Sequence, residues 1–198
     1  MTAWSASSSL TILPDPPPPP TPIGLIAGGG YLPIAIAKGL KTQGHRIHGL
    51  GLSKQFDPTL PQFCETFREV GVLRIGTWGR ILEGLGVRHA IMVGKVDKAK
   101  LMHDPWRVVR NLPDLRTIQT WYKHLRHDKR SHALLTAIAT ELETFGVSLL
   151  DSTAPIPDEL ATAGVVTQTQ PTREQRADIK FVWPILAEVM RLDIGQSI

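Results

Sequence analysis

The sequence predicts an α/β fold built on a parallel sheet, and three observations carry that reading. The apolar run Leu25-Ile26-Ala27 breaks into Gly28-Gly29-Gly30 and then into a helix signalled by Pro33. A second strand signal, His45 to Leu52, follows that helix, and a third, His89 to Val93, follows another helix and is closed by Gly94-Lys95. Strands separated by helices pair in parallel through right-handed crossovers, which gives a Rossmann-like sheet with flanking helices.

The elements follow in chain order. Pro16 to Pro20 is an unbroken proline run after Ser7-Ser8-Ser9, so residues 1–22 read as a disordered, proline-rich arm. Leu25 to Ala27 suits a strand apolar on both faces. Pro33 fits a first helical turn, where its missing N–H costs nothing, and Ile34, Ile36, Ala37 and Leu40 continue that helix until Gly44 stops it. Ser53 to Gln62, with Pro58 and Pro61, is a loop, and Thr66 to Val70 is a short strand. Gly76-Thr77-Trp78 leads into a helix through Ile81, Leu82 and Leu85 that ends at Gly86.

From Pro105 to Phe145 the chain reads as mainly helical, with an apolar stripe of Leu134, Leu135, Ile138 and Leu142. Val147 to Leu150 is a further strand and closes a domain running over residues 23–150. Residues 151–198 lie beyond that domain. They open with a loop, continue through a polar stretch containing Thr167, Gln168 and Gln170, and end in a helix from Thr172. There Thr172 and Gln175 have capping-box spacing, Ile179, Val182, Leu186 and Val189 form a stripe, and Pro184 is expected to kink the helix.

Composition narrows the classes. The chain has 198 residues, 42% of them hydrophobic, enough for one domain with a real core. The single cysteine, Cys64, excludes a disulfide framework and points to a reducing compartment. No apolar run approaches the ~20 residues that cross a bilayer, and Met1 to Pro22 lacks the basic and apolar regions of a secretory signal. The formal net charge is +4, and the excess is local: Lys95 to Arg130 holds ten Lys or Arg against four Asp. Such a segment can bind phosphates, nucleic acid or an anionic membrane surface, and its default reading is a solvated helical face. His124, His127, Asp128 and His132 lie three or four apart, but their basic neighbours oppose a cation.

Gly28 to Gly30 carry the chemical signal. Glycines between a strand and a helix let a ligand's oxygens reach backbone N–H groups at the positive end of the helix, a site suited to phosphate. Lys95, after the His89–Val93 strand, should face the same crevice, because ligands in such sheets sit at the carboxyl ends of the strands. The dinucleotide fingerprint is incomplete: Pro33 stands where a third glycine belongs, and His48 to Ser53 supplies no acid at the end of the second strand. A nicotinamide cofactor is thereby disfavoured, with Lys54 keeping an NADP-dependent oxidoreductase as an alternative. The plainer alternative is a tight turn that needs glycine only for its backbone angles.

Four motifs occur in order: Ile26-Ala27-Gly28-Gly29-Gly30-Tyr31-Leu32-Pro33; Met92-Val93-Gly94-Lys95-Val96-Asp97-Lys98; Leu134-Leu135-Thr136-Ala137-Ile138 with Glu141-Leu142-Glu143; and Ala177-Asp178-Ile179 with Leu192-Asp193-Ile194-Gly195-Gln196. Together they resemble the LpxI-type UDP-2,3-diacylglucosamine pyrophosphatase family from about Ile23 onward. The resemblance implies a Rossmann-like N-terminal domain and a separate C-terminal catalytic domain. It also implies magnesium-dependent hydrolysis of UDP-2,3-diacylglucosamine to UMP and 2,3-diacylglucosamine 1-phosphate in lipid A synthesis, by a cytoplasmic protein with peripheral contact with the inner membrane. The substrate-binding residues it suggests are Gly28, Gly29, Gly30, Lys95, Asp97, Thr167 and Gln196.

Two departures shape the expectation. Ser131-His132 stands where the family has paired acids, and Ile198 falls where the family's C-terminal domain has only begun. The catalytic acid is expected beyond Ile198, the metal ligands are unassigned, and Asp178 and Asp193 are the candidates within the chain, although a lone helical Asp is more often a surface charge or a cap. Little activity is therefore expected of these 198 residues alone. An apolar helix left without its neighbouring domain favours self-association, and nucleic acid is not an expected partner.

Overall fold

The computed structural model describes residues 13–97, 131–162 and 164–192. Two compact units divide the chain, one reaching Asp158 and the other starting at Glu159. In the first, five strands among the described residues form one parallel sheet: β1 (Pro22–Ala27), β2 (Arg46–Leu52), β3 (Thr66–Val70), β4 (His89–Val93) and β5 (Ser148–Leu149). Their spatial order is β3-β2-β1-β4-β5. The chain therefore winds outward from β1 in one direction and then crosses back to β4, which places the topological switch point between β1 and β4.

Among the described residues three helices cover the sheet: α1 (Leu32–Thr42), α2 (Ile75–Gly84) and α3 (Ser131–Glu143). On the α1 face, Ile23, Leu25 and Ala27 pack with Ile34, Ile36, Ala37 and Leu40 of that helix. On the other face, Ile26, Leu50, Leu52 and Val70 pack with Trp78 and Leu82 of α2 and with Ile138 and Leu142 of α3. Strand residues alternate between these two cores, so β1 is apolar throughout because both of its faces are covered. A fully buried Leu or Ile side chain contributes about 1.5–3 kcal/mol. The sheet centre, where Ile23, Leu25, Ile26, Ile47, Leu50 and Ile91 are at most 2% exposed, anchors the loops at its ends.

The predicted strands and helices are in place, with small shifts. Pro33 sits in the first turn of α1, and Gly44, just past its end, has a φ of +90°. The loop from Ser53 carries a short 3-10 turn, Leu60–Phe63. The expected stripe on α3 is turned: Leu135 is 52% exposed, whereas Ala137, Ile138 and Leu142 are buried. Most of the segment from Pro105, including His124, His127 and Asp128, lies outside the described residues, as does most of the basic stretch beyond Asp97.

Part of the proline-rich arm departs from the reading as disordered. Residues 1–12 lie outside the described residues, but Leu13 packs against the core under α2 and α3. The Asp151 N–H donates to the Pro14 carbonyl at 2.8 Å, and His45 Nδ1 donates to the Thr21 carbonyl at 3.1 Å. Carbonyls of the arm thus accept from a backbone N–H and a side chain of the folded unit. Residues 151–158 likewise belong with the first unit, because Ile156 is buried in the α1-face core.

In the second unit the helix α4 (Arg173–Arg191) begins at a capping box. The Gln175 N–H donates to Thr172 Oγ1, and the Thr172 N–H donates to Gln175 Oε1. The helix continues across Pro184 and has no buried residue, with Ile179, Phe181, Trp183, Ile185 and Met190 exposed.

Candidate functional site

The carboxyl ends of β1 and β4 meet at the switch point through backbone alone. The Gly28 N–H donates to the Val93 carbonyl, and the Gly29 N–H and carbonyl pair with the Lys95 carbonyl and N–H, each at 2.8 Å. A Cβ on Gly28 would stand 2.5 Å from the Lys95 carbonyl oxygen, and one on Gly94, whose φ is +101°, would stand 2.8 Å from Gly28 C. The glycines at Gly28 and Gly94 are therefore required by the closeness of two loops. Two of the three amide donors expected to face a ligand are thus spent within the protein.

Gly30 is different. Its φ is +101°, and nothing lies within 4 Å of where its Cβ would be. It leads directly into α1, whose N-cap Tyr31 makes no side-chain cap bond. Open space beside the positive end of an 11-residue helix is where an anion is favoured. Lys95 and Asp97 are exposed in the facing loop. The loop after β2 completes the rim: the Gln55 carbonyl lies 2.8 Å from where a Gly29 Cβ would be, and Gln55 Oε1 accepts the Asp97 N–H at 3.2 Å. The fold thus brings together Gly28, Gly29, Gly30, Lys95 and Asp97.

The other sequence-derived candidates fall elsewhere. Thr167 is exposed in the second unit, where its hydroxyl donates to the Thr169 carbonyl at 3.1 Å. Asp178 is exposed on α4, beside Ile179 and Val182 on the same helix. Asp193 and Gln196 lie outside the described residues. Cys64 donates to the Leu60 carbonyl, and burial pushes its thiol up to about 11, so it is a packing residue with little nucleophilic character.

Sequence reasoning passed over a second polar cluster. At the carboxyl ends of β2 and β3 a cleft of about 240 Å³ is lined by Ser53, Glu69, Val70, Gly71 and Arg74. Ser53 Oγ donates to Glu69 Oε1 at 2.6 Å, and the Ser53 N–H donates to the Val70 carbonyl at 2.8 Å. Trp78 Nε1 donates to the Gly71 carbonyl at 2.8 Å and pins the floor. No acid stands at the end of β2, but Glu69 lies near the end of the neighbouring β3.

A parallel α/β sheet with its polar loops gathered at the strand ends defines a Rossmann-like domain. Residues 22–159 match the LpxI N-terminal domain, and the chain belongs to that family. It is 29% identical over 181 residues to the UDP-2,3-diacylglucosamine pyrophosphatase LpxI of Caulobacter vibrioides, an alignment that takes in 88% of this chain and 60% of that protein. The chain thus spans less than two thirds of the length of that curated relative. Among solved structures, the UDP-glucose-4-epimerase of Stenotrophomonas maltophila with bound NAD and formylated UDP-arabinopyranose overlaps with a TM-score of 0.41 at 12% identity, over 85% of this chain and 49% of that one. The UDP-glucose 4-epimerase of Thermotoga maritima with UDP-glucose overlaps with a TM-score of 0.39 at 14% identity, over 64% of this chain and 35% of that one. Overlaps of that extent carry no argument about ligand.

Proposed function

We propose that this chain supplies the nucleotide-phosphate-binding part of a UDP-2,3-diacylglucosamine pyrophosphatase, the protein that yields UMP and 2,3-diacylglucosamine 1-phosphate in lipid A synthesis. The match of residues 22–159 to the LpxI N-terminal domain carries the reading. The crevice at the β1–β4 switch point is consistent with it. In this reading the Gly30 end of α1 receives a phosphate oxygen, and Lys95 adds a positive charge. Gly28 and Gly29 act by holding the two loops together, and Asp97 closes the rim.

Magnesium belongs to the reading as the family's ion, but the described residues do not supply its site. Among them, no group of three His, Cys, Asp or Glu side chains could hold a metal ion. Asp178 and Asp193 are the first acids to substitute in a chain that turns substrate over. Among the described residues no helix is long and apolar enough to cross a membrane. Contact with an acyl-chain substrate at a cytoplasmic membrane surface, and self-association through exposed α4, complete the proposal.

Titration with UMP, a UDP-sugar and NADPH, with and without magnesium, tests it. Binding of the uridine nucleotides without NADPH binding is expected. Tight NADPH binding with no response to UDP-sugars would replace the reading with that of an NADP-dependent oxidoreductase. A parallel assay of UMP release from UDP-2,3-diacylglucosamine is expected to show little turnover, and robust turnover would place the catalytic groups inside these 198 residues.

A further inference from the structure

We infer that the cleft formed by Ser53, Glu69 and Arg74 is a ribose subsite, in which the Glu69 carboxylate receives the vicinal hydroxyls of a nucleotide whose phosphates lie at Gly30. The inference rests on the proposed phosphate site and adds the part of the ligand that the site next to it would read.

Position argues first. Ala27, Gly51 and Glu69 are in register across β1, β2 and β3. Adjacent strands lie about 4.8 Å apart, so the Glu69 column is about 10 Å from the β1 column that leads into Gly28–Gly30. That span is one a nucleoside diphosphate covers between its phosphates and its ribose hydroxyls. All three residues also share a sheet face, because aligned residues in a parallel sheet point the same way, and Ala27 packs in the core under α1. Glu69 therefore leaves β3 on the side from which the glycine loop and α1 rise. Beyond Phe56 and Phe67, which cover Gly51 between the two columns, its carboxylate meets Ser53 at the strand ends, in the cleft that Arg74 at the start of α2 also lines.

Chemistry argues second. An ionised carboxylate offers about four acceptor positions, and Ser53 occupies one of them on Oε1. That bond sets the orientation of the group and leaves Oε2 and the remaining lone pairs for two hydroxyl donors. Glu69 is exposed, so a ligand reaches it without rearrangement of the core. Arg74, at the N-terminal end of α2, lines the same cleft, where its planar cation suits the carbonyl edge or the face of a base. A cavity of about 240 Å³ admits a sugar ring with part of a base. A carboxylate so placed selects a free diol over a 2′-phosphate.

The test measures the affinities of UDP, 2′-deoxy-UDP and inorganic pyrophosphate for the chain and for Glu69→Gln and Glu69→Ala, with circular dichroism and Tm checking the fold of each variant. UDP is expected to bind about tenfold more tightly than 2′-deoxy-UDP, as one charge-assisted hydrogen bond warrants. Both variants are expected to lose that preference while pyrophosphate binding stays unchanged. Equal affinity for the two nucleotides, or a preference retained without the carboxylate, would overturn the subsite and leave the phosphate site standing. Failure of both UDP and pyrophosphate to bind would overturn the subsite together with the function proposed above.

Discussion

The carboxyl ends of the strands are built in two ways within one sheet. Between β1 and β4, backbone meets backbone, with Gly28 and Gly29 bonded to Val93 and Lys95 and no room for a Cβ at Gly28 or Gly94. Between β2 and β3, side chains line an open cleft, and Ser53 and Glu69 bond to each other beside Arg74. The first end is a structural clasp that positions one helix terminus, and the second is a set of functional groups on a pinned floor. Substitutions should therefore cost stability at the first end and binding at the second.

The largest effect is expected at Gly94. An alanine there would combine a φ of +101° with contacts of 2.8 and 2.9 Å to backbone atoms that cannot yield. Strain and overpacking together amount to about 4 kcal/mol. Gly94→Ala should show a Tm lowered by roughly 8–16 °C, since each kcal/mol moves a domain of this size by about 2–4 °C. An unchanged Tm would mean that the two loops are not clasped.

Gly30→Ala separates angle from contact. Its φ is the same, but the surrounding space is open, so strain alone applies, about 1–2 kcal/mol. Phosphate affinity should fall together with this modest loss of stability. A variant that lost stability yet bound pyrophosphate like the parent would show that Gly30 serves only the turn.

Inside the β2–β3 seam, His48 is 4% exposed and its Nδ1 lies 2.9 Å from Thr66 Oγ1. Burial, the largest influence, holds its pKa below the ordinary 6.5. The unfolded chain therefore takes up a proton first as pH falls, so stability should drop below pH 6.5 until the folded state also titrates. The slope from this group cannot exceed about 1.4 kcal/mol per pH unit. Replacing His48 with Asn should flatten the profile of Tm against pH in that window, and an unchanged profile would assign the acid sensitivity to other groups.

Much of the fold was legible because periodicity and punctuation agree in this sequence. Leu25-Ile26-Ala27 is apolar without alternation because helices cover both faces, and Pro33, Gly44 and Gly86 mark element ends where the backbone requires them. The switch-point crevice was legible for the same reason, since strand ends converge once the order is parallel. What Gly28 and Gly29 do there was not legible: a glycine that frees an amide and a glycine that admits a neighbouring backbone look identical in sequence, and only the bonds to Val93 and Lys95 distinguish them. Glu69 was hidden by a different cause. Its partner Ser53 is 16 residues away, and the two meet only because β3 lies beside β2. The ordered placement of Leu13 and Pro14 escaped the sequence because a proline run specifies an extended backbone without saying what its carbonyls will meet.

The smallest stability effect is expected at Ser53, and there the two strand ends separate most clearly. Removing its hydroxyl deletes one half-exposed hydrogen bond to a carboxylate that water can solvate in its place, so Ser53→Ala should cost no more than about 1 kcal/mol. Without that bond the Glu69 carboxylate keeps its charge but loses its fixed orientation. UDP affinity should therefore weaken severalfold, by about the entropy of holding one side chain in place. Pyrophosphate affinity should be unchanged. Differential scanning calorimetry and titration calorimetry on the same preparation read both quantities. A Ser53→Ala chain that lost several kcal/mol of stability would make the β2–β3 end a second clasp, and the contrast between the two ends of the sheet would then fall.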